Sequence, residues 1–328
     1  MGLNKRVFTS ATGGITGTDH FAQQNYSGNR TARTITTGFR PSLVFTKTLG
    51  GGEHPMLHSS TMHTANAGFY FTLTNAAYYN STTFTGFASN GYTLGTDSAA
   101  HVNYTSKNYT SFAWKGNGTN SLVSNTDGDV TSYTDANTDG GFTTVKATHT
   151  GNQTVGHGLN SAPEFFIQRS NATGNFYAWH HNMGNAYQNL NVSNDGDTAY
   201  THIASTSTTM RFLGSSSNTN NTWYAWHSVE GYSKVSYYTG NSTSKSVNLG
   251  FEPRMIWIIP DGNPNIMITS LQEDSNGYGD WIYPNSTSAL YTGSHTDNGI
   301  KPTSTGFDVG SSTYVNQLNT KFYYLAFA

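Results

Sequence analysis

Three stretches decide the fold: Gly38-Phe39-Arg40-Pro41-Ser42-Leu43-Val44-Phe45-Thr46-Lys47, Gly158-Leu159-Asn160-Ser161-Ala162-Pro163-Glu164-Phe165-Phe166-Ile167-Gln168-Arg169, and Gly250-Phe251-Glu252-Pro253-Arg254-Met255-Ile256-Trp257-Ile258-Ile259. Each is a glycine turn, a proline and an apolar run. Proline presets φ and cannot donate to a ladder, so it suits the entry of a strand, and the run behind it reads as a buried strand. A Gly-Asn pair precedes each copy, at Gly28, Gly151 and Gly240, and the spacings from these glycines to Pro41, Pro163 and Pro253 are 13, 12 and 13 residues. Each copy closes on an aromatic strand that carries Trp114, Trp226 or Phe327. A repeat of this kind sets the architecture.

Outward from these runs, Gly/Asn turns separate short alternating segments such as Phe142-Thr143-Thr144-Val145-Lys146-Ala147. The alternation predicts an all-β protein of three tandem sandwich or jelly-roll modules. The expected division is an N-terminal arm at 1–18, modules at 19–116, 141–229 and 230–328, and a polar Gly/Asn/Asp linker at 117–140. The short second junction, Val229-Glu230-Gly231-Tyr232, implies a rigid pair. The longer connector would leave the first module displaced or set at an angle.

Composition agrees with strands. Charged residues make up 10% of the 328, against 35 Gly, 21 Tyr and 18 Phe. Asn, Ser, Thr and Gly disfavour long helices, whereas aromatics and Thr favour strands. Aromatics are 14% of the chain, too many for a disordered one. A net charge of −2 offers no basic field for nucleic acid and no cationic face for a membrane. No apolar run reaches spanning length, and the first residues lack a signal-peptide core, so synthesis in a host cytoplasm is expected. Without cysteine, stability must come from core burial or oligomerisation.

The segments Phe112-Ala113-Trp114-Lys115 to Gly128, Gly141-Phe142-Thr143-Thr144-Val145, Val155-Gly156-His157-Gly158-Leu159 and Glu230-Gly231-Tyr232-Ser233-Lys234 to Asn241 resemble a repeat module of virion proteins from tailed, often marine, phages. The resemblance covers most of the chain. It is weakest in the first module's outer loops, where the Gly50-Gly51-Gly52 and histidine-rich segments are unusual. It implies a structural part of the virion, a tail fibre, knob or capsid decoration, that contacts other virion proteins and serves host attachment. It carries no catalytic residues and no cofactor.

His54, His58 and His63 could suggest a transition metal, but their spacing does not place all three on one strand face. In His180-His181 one ring should be buried and one exposed. Asp127, Asp129, Asp135 and Asp139 resemble a calcium loop without its closing Glu, so a solvated linker is expected. A glycosidase needs two facing carboxylates, and Glu164, Glu230, Glu252, Glu273, Asp274 and Asp280 are the available ones. Glu164 and Glu252 adjoin the repeated proline, where a fold role or plain solvation is expected rather than catalysis. No nucleophile elbow or phosphate loop occurs, so an enzyme is not expected. Sugar binding is the competing function, with Tyr278, Trp281 and Tyr283 as its candidates, although Trp281 occupies the same region of its module as Trp179 and so fits a shared core. A depolymerase acting on polysaccharide is a third. A homo-oligomer, guessed as a trimer, is the expected assembly.

Overall fold

The computed structural model describes residues 17–192, 203–212, 219–262, 266–273, 277–292 and 299–328. All but two residues of the expected N-terminal arm fall outside this range.

The all-β expectation is met. The first repeat contains β1 (Phe21–Ser27), β2 (Arg33–Thr36), β3 (Pro41–Thr48), β4 (Met56–Ser59), β5 (Gly68–Tyr70), β6 (Phe84–Ala88), β7 (Gly91–Leu94) and β8 (Asn108–Lys115). They form one sheet in the order β1-β8-β3-β4-β5 and a small one in the order β2-β7-β6.

The second contains β9 (Val123–Asn125), β10 (Ser132–Asn137), β11 (Phe142–His149), β12 (Val155–Gly156), β13 (Phe165–Ser170), β14 (Tyr177–His180), β15 (Gln188–Asn189), β16 (Ala204–Ser205), β17 (Thr209–Arg211) and β18 (Thr219–Trp226). The third contains β19 (Ser233–Thr239), β20 (Lys245–Asn248), β21 (Met255–Pro260), β22 (Ile266–Glu273), β23 (Gly279–Ile282), β24 (Ile300–Thr303), β25 (Gly306–Val309), the short helix α1 (Thr313–Asn316) and β26 (Lys321–Phe327). Their large sheets run β15-β14-β13-β18-β11-β10-β9 and β19-β26-β21-β22-β23. Their small sheets run β12-β17-β16 and β20-β25-β24. One strand order therefore occurs three times, and the second copy has two extra strands.

Those two strands come from the stretch read as a polar linker. Thr134 pairs with Val145, and Asn137 with Phe142, so residues 117–140 extend a sheet rather than separate two modules. The hairpin also ties the first repeat down. Asp135 on β10 is fully buried and pairs with Arg40 at 2.7 Å. It also accepts from Ser60 Oγ and from the Asn117 amide.

The repeats are not three self-contained sandwiches in a row. Successive strand residues point to opposite faces, and the two faces go to different cores. Leu43 and Phe45, Phe165 and Ile167, and Met255, Trp257 and Ile259 meet in one shared cluster with Trp114, Trp226 and Phe327. The intervening Val44, Phe166 and Ile256 face three separate outer cores under the small sheets. Trp114 lies 5.8 Å from Trp226 and 5.7 Å from Phe327, both edge-on, the geometry aromatic quadrupoles prefer. A void of about 10 Å³ is left between rings and side chains of all three repeats, about one water in size and wholly apolar.

Around this core the repeats dock in one direction. After β13, the Asn171 carbonyl accepts from Ala77 and the Gly174 amide donates to Thr74, so the second repeat rests on the first. After β3, the Leu49 carbonyl accepts from Leu290 and the Gly52 amide donates to Thr287, so the first rests on the third. At the end of β21, Gln188 Nε2 donates to the Pro260 carbonyl and to Asp261, so the third rests on the second. The three dockings close a ring, and the first repeat, expected to stand apart, is part of it.

Two cations at equivalent positions reinforce the docking. Lys47 and Arg169, each six residues after the repeated proline, are fully buried. Lys47 Nζ donates to the Ser286 carbonyl, and Arg169 donates to the Asn75 carbonyl. Burial lowers the Lys47 ammonium to about 8 and the Arg169 guanidinium to about 10. At Gly51 (φ 72°) a Cβ would stand 2.7 Å from the Ala289 amide nitrogen, so the docking loop needs glycine on both counts.

Candidate functional site: a tyrosine edge on two repeats

At the outer margin of the first large sheet, Gly68 on β5 bridges to Tyr78, and in the third repeat Trp281 on β23 bridges to Tyr291. Both bridges join residues ten apart. Phe69 and Ile282, the next residues in each, enter the shared core, which fixes the equivalence. Tyr70 and Tyr283 follow at matching places, so each edge holds a tyrosine pair.

In the first repeat the pair is part of a larger cluster. Tyr70, Tyr78 and His101 sit with every pair of ring centroids 5.2 Å apart, and His54 stands edge-on to Tyr70 at 5.6 Å. The Tyr70 hydroxyl is 3.0 Å from His101 Nε2. Burial raises Tyr70 to about 12, so this hydroxyl keeps its proton. Burial also lowers His101 against the opposing pull of Asp97 and Glu53. The result is a hydrogen bond between a neutral imidazole and a protonated phenol. Beneath lies His58, stacked on Phe84 at 4.2 Å and lowered by burial to about 3. Gly68 makes room for it, since a Cβ there would stand 2.6 Å from His58 Nε2.

In the third repeat Tyr291 lies nearly flat on Trp281, 4.4 Å and 15° apart. Trp281 is 3% exposed, so it is a buried support beneath Tyr291. Tyr283 is half-buried and raised by that burial. Tyr278 is half-buried, with Lys301 Nζ 5.8 Å from its ring centre. Among the three residues singled out from sequence, Trp281 and Tyr283 thus belong to the edge. Tyr70, Tyr78, His101 and Tyr291 were missed, although the shared spacing of Tyr70 to Tyr78 and of Tyr283 to Tyr291 was there to find.

The other singled-out residues scatter. His63 leaves His54 and His58 and contacts the Asn221 carbonyl of the second repeat at 3.1 Å. Among the described residues no three His, Asp or Glu side chains come together as a metal site. His180 is fully buried and His181 exposed. Asp129 is held by the Thr154 amide and hydroxyl, which lower its carboxyl, while Asp135 serves Arg40. Glu164 accepts from the Ser228 amide and hydroxyl, a fold role beside the repeated proline. Asp280 is buried on β23; Asp274 and the side chain of Glu273 lie outside the described residues.

The repeat positions behave unequally. Pro41 opens β3, and Pro163 and Pro253 stand two residues before β13 and β21. Gly28 and Gly240 are true equivalents: a Cβ would stand 2.1 Å from the Tyr104 carbonyl oxygen in one and 2.0 Å from that of Gln317 in the other. The adjoining amides of Asn29 and Asn241 donate to the buried Asn103 and Asn316. Gly151 has open space around it and is glycine because its φ is 53°.

Together these features define an all-β repeat protein closed on one core, with aromatic edges outside. The chain belongs to the family described as a domain of unknown function, DUF7483, whose model matches residues 16–328 as one unit. No curated protein and no solved structure matches it. Among the described residues no helix is long and apolar enough to cross a membrane.

Proposed function

We propose that this chain is a structural component of a tailed-phage virion, a fibre knob or capsid decoration, that associates with other virion proteins. The observation that carries the reading is the ring: one chain repeats one strand order around a shared aromatic core, as befits a rigid head rather than a hinged enzyme. The likeness of its repeats to virion modules, and a surface poor in charge, support it. Purified particles of a phage encoding the chain, analysed by mass spectrometry, should contain it at fixed stoichiometry; its absence from such particles would refute the role. Light scattering on the purified protein decides the homotrimer, which the internal threefold repetition makes unnecessary for closing the core.

The tyrosine edges favour a second reading, in which the head also binds host-surface glycan, because half-buried phenols present a stacking face together with a hydroxyl. An array of neutral oligosaccharides probed with the wild-type chain and with Tyr78→Ala tests it. Binding that the variant loses supports this reading. Silence from the wild-type chain removes it.

A further inference from the structure

The docking surfaces of the ring contain histidines whose hydrogen bonds require the neutral imidazole. His20, on the first repeat, receives a hydrogen bond at Nδ1 from Asn137 Nδ2 of the second, 2.8 Å away. Asn137 cannot turn round, because its Oδ1 accepts from the Gly140 amide. The His20 ring also lies 5.5 Å from Tyr232 of the third repeat, so one imidazole touches both other repeats. His149 Nδ1 receives Asn221 Nδ2, which also donates to the Thr219 carbonyl, while the Asn221 carbonyl meets His63 of the first repeat. His180 Nδ1 receives the Asn182 amide, and its ring lies 5.0 Å from Tyr323 of the third repeat. A proton on Nδ1 would set donor against donor at each of these bonds, and the new charge would be buried.

We propose that the ring is acid-sensitive by construction: below neutral pH, protonation of the junction histidines loosens the repeats from one another before the outer core of the third repeat, whose described residues include no histidine, unfolds. The groups around each ring pull both ways, and burial outweighs them. His20 faces Lys115, which opposes its charging, and Asp19 and Asp139, which favour it. His63 faces Lys146. His180 faces His181 and the backbone of Ser236, with Asp261 beyond Tyr323. Burial is the largest influence at His20, His63 and His180 alike, and it lowers all three, His180 to about 3. A depressed histidine contributes stability in full above its unfolded value near 6.5 and loses it progressively as pH falls below that. His180, held at about 3, raises the opening equilibrium about tenfold per pH unit through that window, and His20 and His63 add in the same direction.

Hydrogen exchange of the full chain at pH 7.5 and 5.0, corrected for intrinsic rates, tests the proposal independently of any virion role. Segments 49–52, 137–141, 171–180 and 286–290 should lose protection at pH 5.0, while β20 and β25 keep theirs. His20→Asn with His180→Asn, which keeps an uncharged acceptor at each place, should blunt the loss. Equal protection at the two pH values, or a loss spread evenly over the junctions and the small sheet of the third repeat, would overturn the proposal. The wild-type measurement decides this even if the double variant fails to fold.

Discussion

The shared core and the three outer cores are built by alternate residues of the same strands, yet they differ in what they hold together. The face carrying Leu43, Phe45, Trp114, Trp226 and Phe327 joins all three repeats. The face carrying Val44 and Ala113 packs on Phe84 and Tyr92 of the small sheet and, like its counterparts, joins one large sheet to one small sheet. Damage to the first face should therefore be global, and damage to the second local.

Trp114→Ala tests that difference most severely. It removes a ring touching Phe21, Phe142, Trp226 and Phe327. It should cost about 4 kcal/mol. Chemical denaturation should show all three repeats failing in one transition. Phe307→Ala, in the outer core of the third repeat, should cost about 3 kcal/mol. Exchange should locate that loss at β20, β24 and β25. A global loss from Phe307→Ala equal to that of Trp114→Ala would erase the distinction.

Arg40→Ala asks whether the junctions matter as much as the cores. It strips Asp135 of its guanidinium partner and leaves Ser60 and Asn117. A cost of about 3 kcal/mol is expected from stranding a buried carboxylate, with the first repeat the earliest to lose exchange protection.

The rim glycines give the smallest effects. Gly28→Ala and Gly240→Ala force a Cβ against a carbonyl oxygen and should each cost about 2 kcal/mol. Gly151→Ala meets only the left-handed backbone penalty, about 1 kcal/mol. Thermal melts rank the three, and equal shifts would contradict the inequivalence of Gly151.

What was legible in the sequence was local. Pro41, Pro163 and Pro253 marked the strands that enter the core, because a missing N–H and a fixed φ act within a residue or two. The ring was not legible, because it depends on which face of each run meets which repeat, and the apolar runs after each proline are buried on both faces. Residues 117–140 misled for a related reason: Ser132, Thr134 and Asp135 are polar, yet all three are buried in a sheet. At the candidate edge the tryptophan drew the eye to Trp281, whereas the recurring feature is the tyrosine spacing, visible only once Gly68 and Trp281 are known to be equivalent.

The central claim is that one chain closes a ring around a shared core. Small-angle scattering of the monomeric fraction measures this most directly. A closed ring of this length should have a radius of gyration of about 20 Å. A value well above that, with the profile of an extended particle, would mean that the repeats stand in a row and would contradict the account.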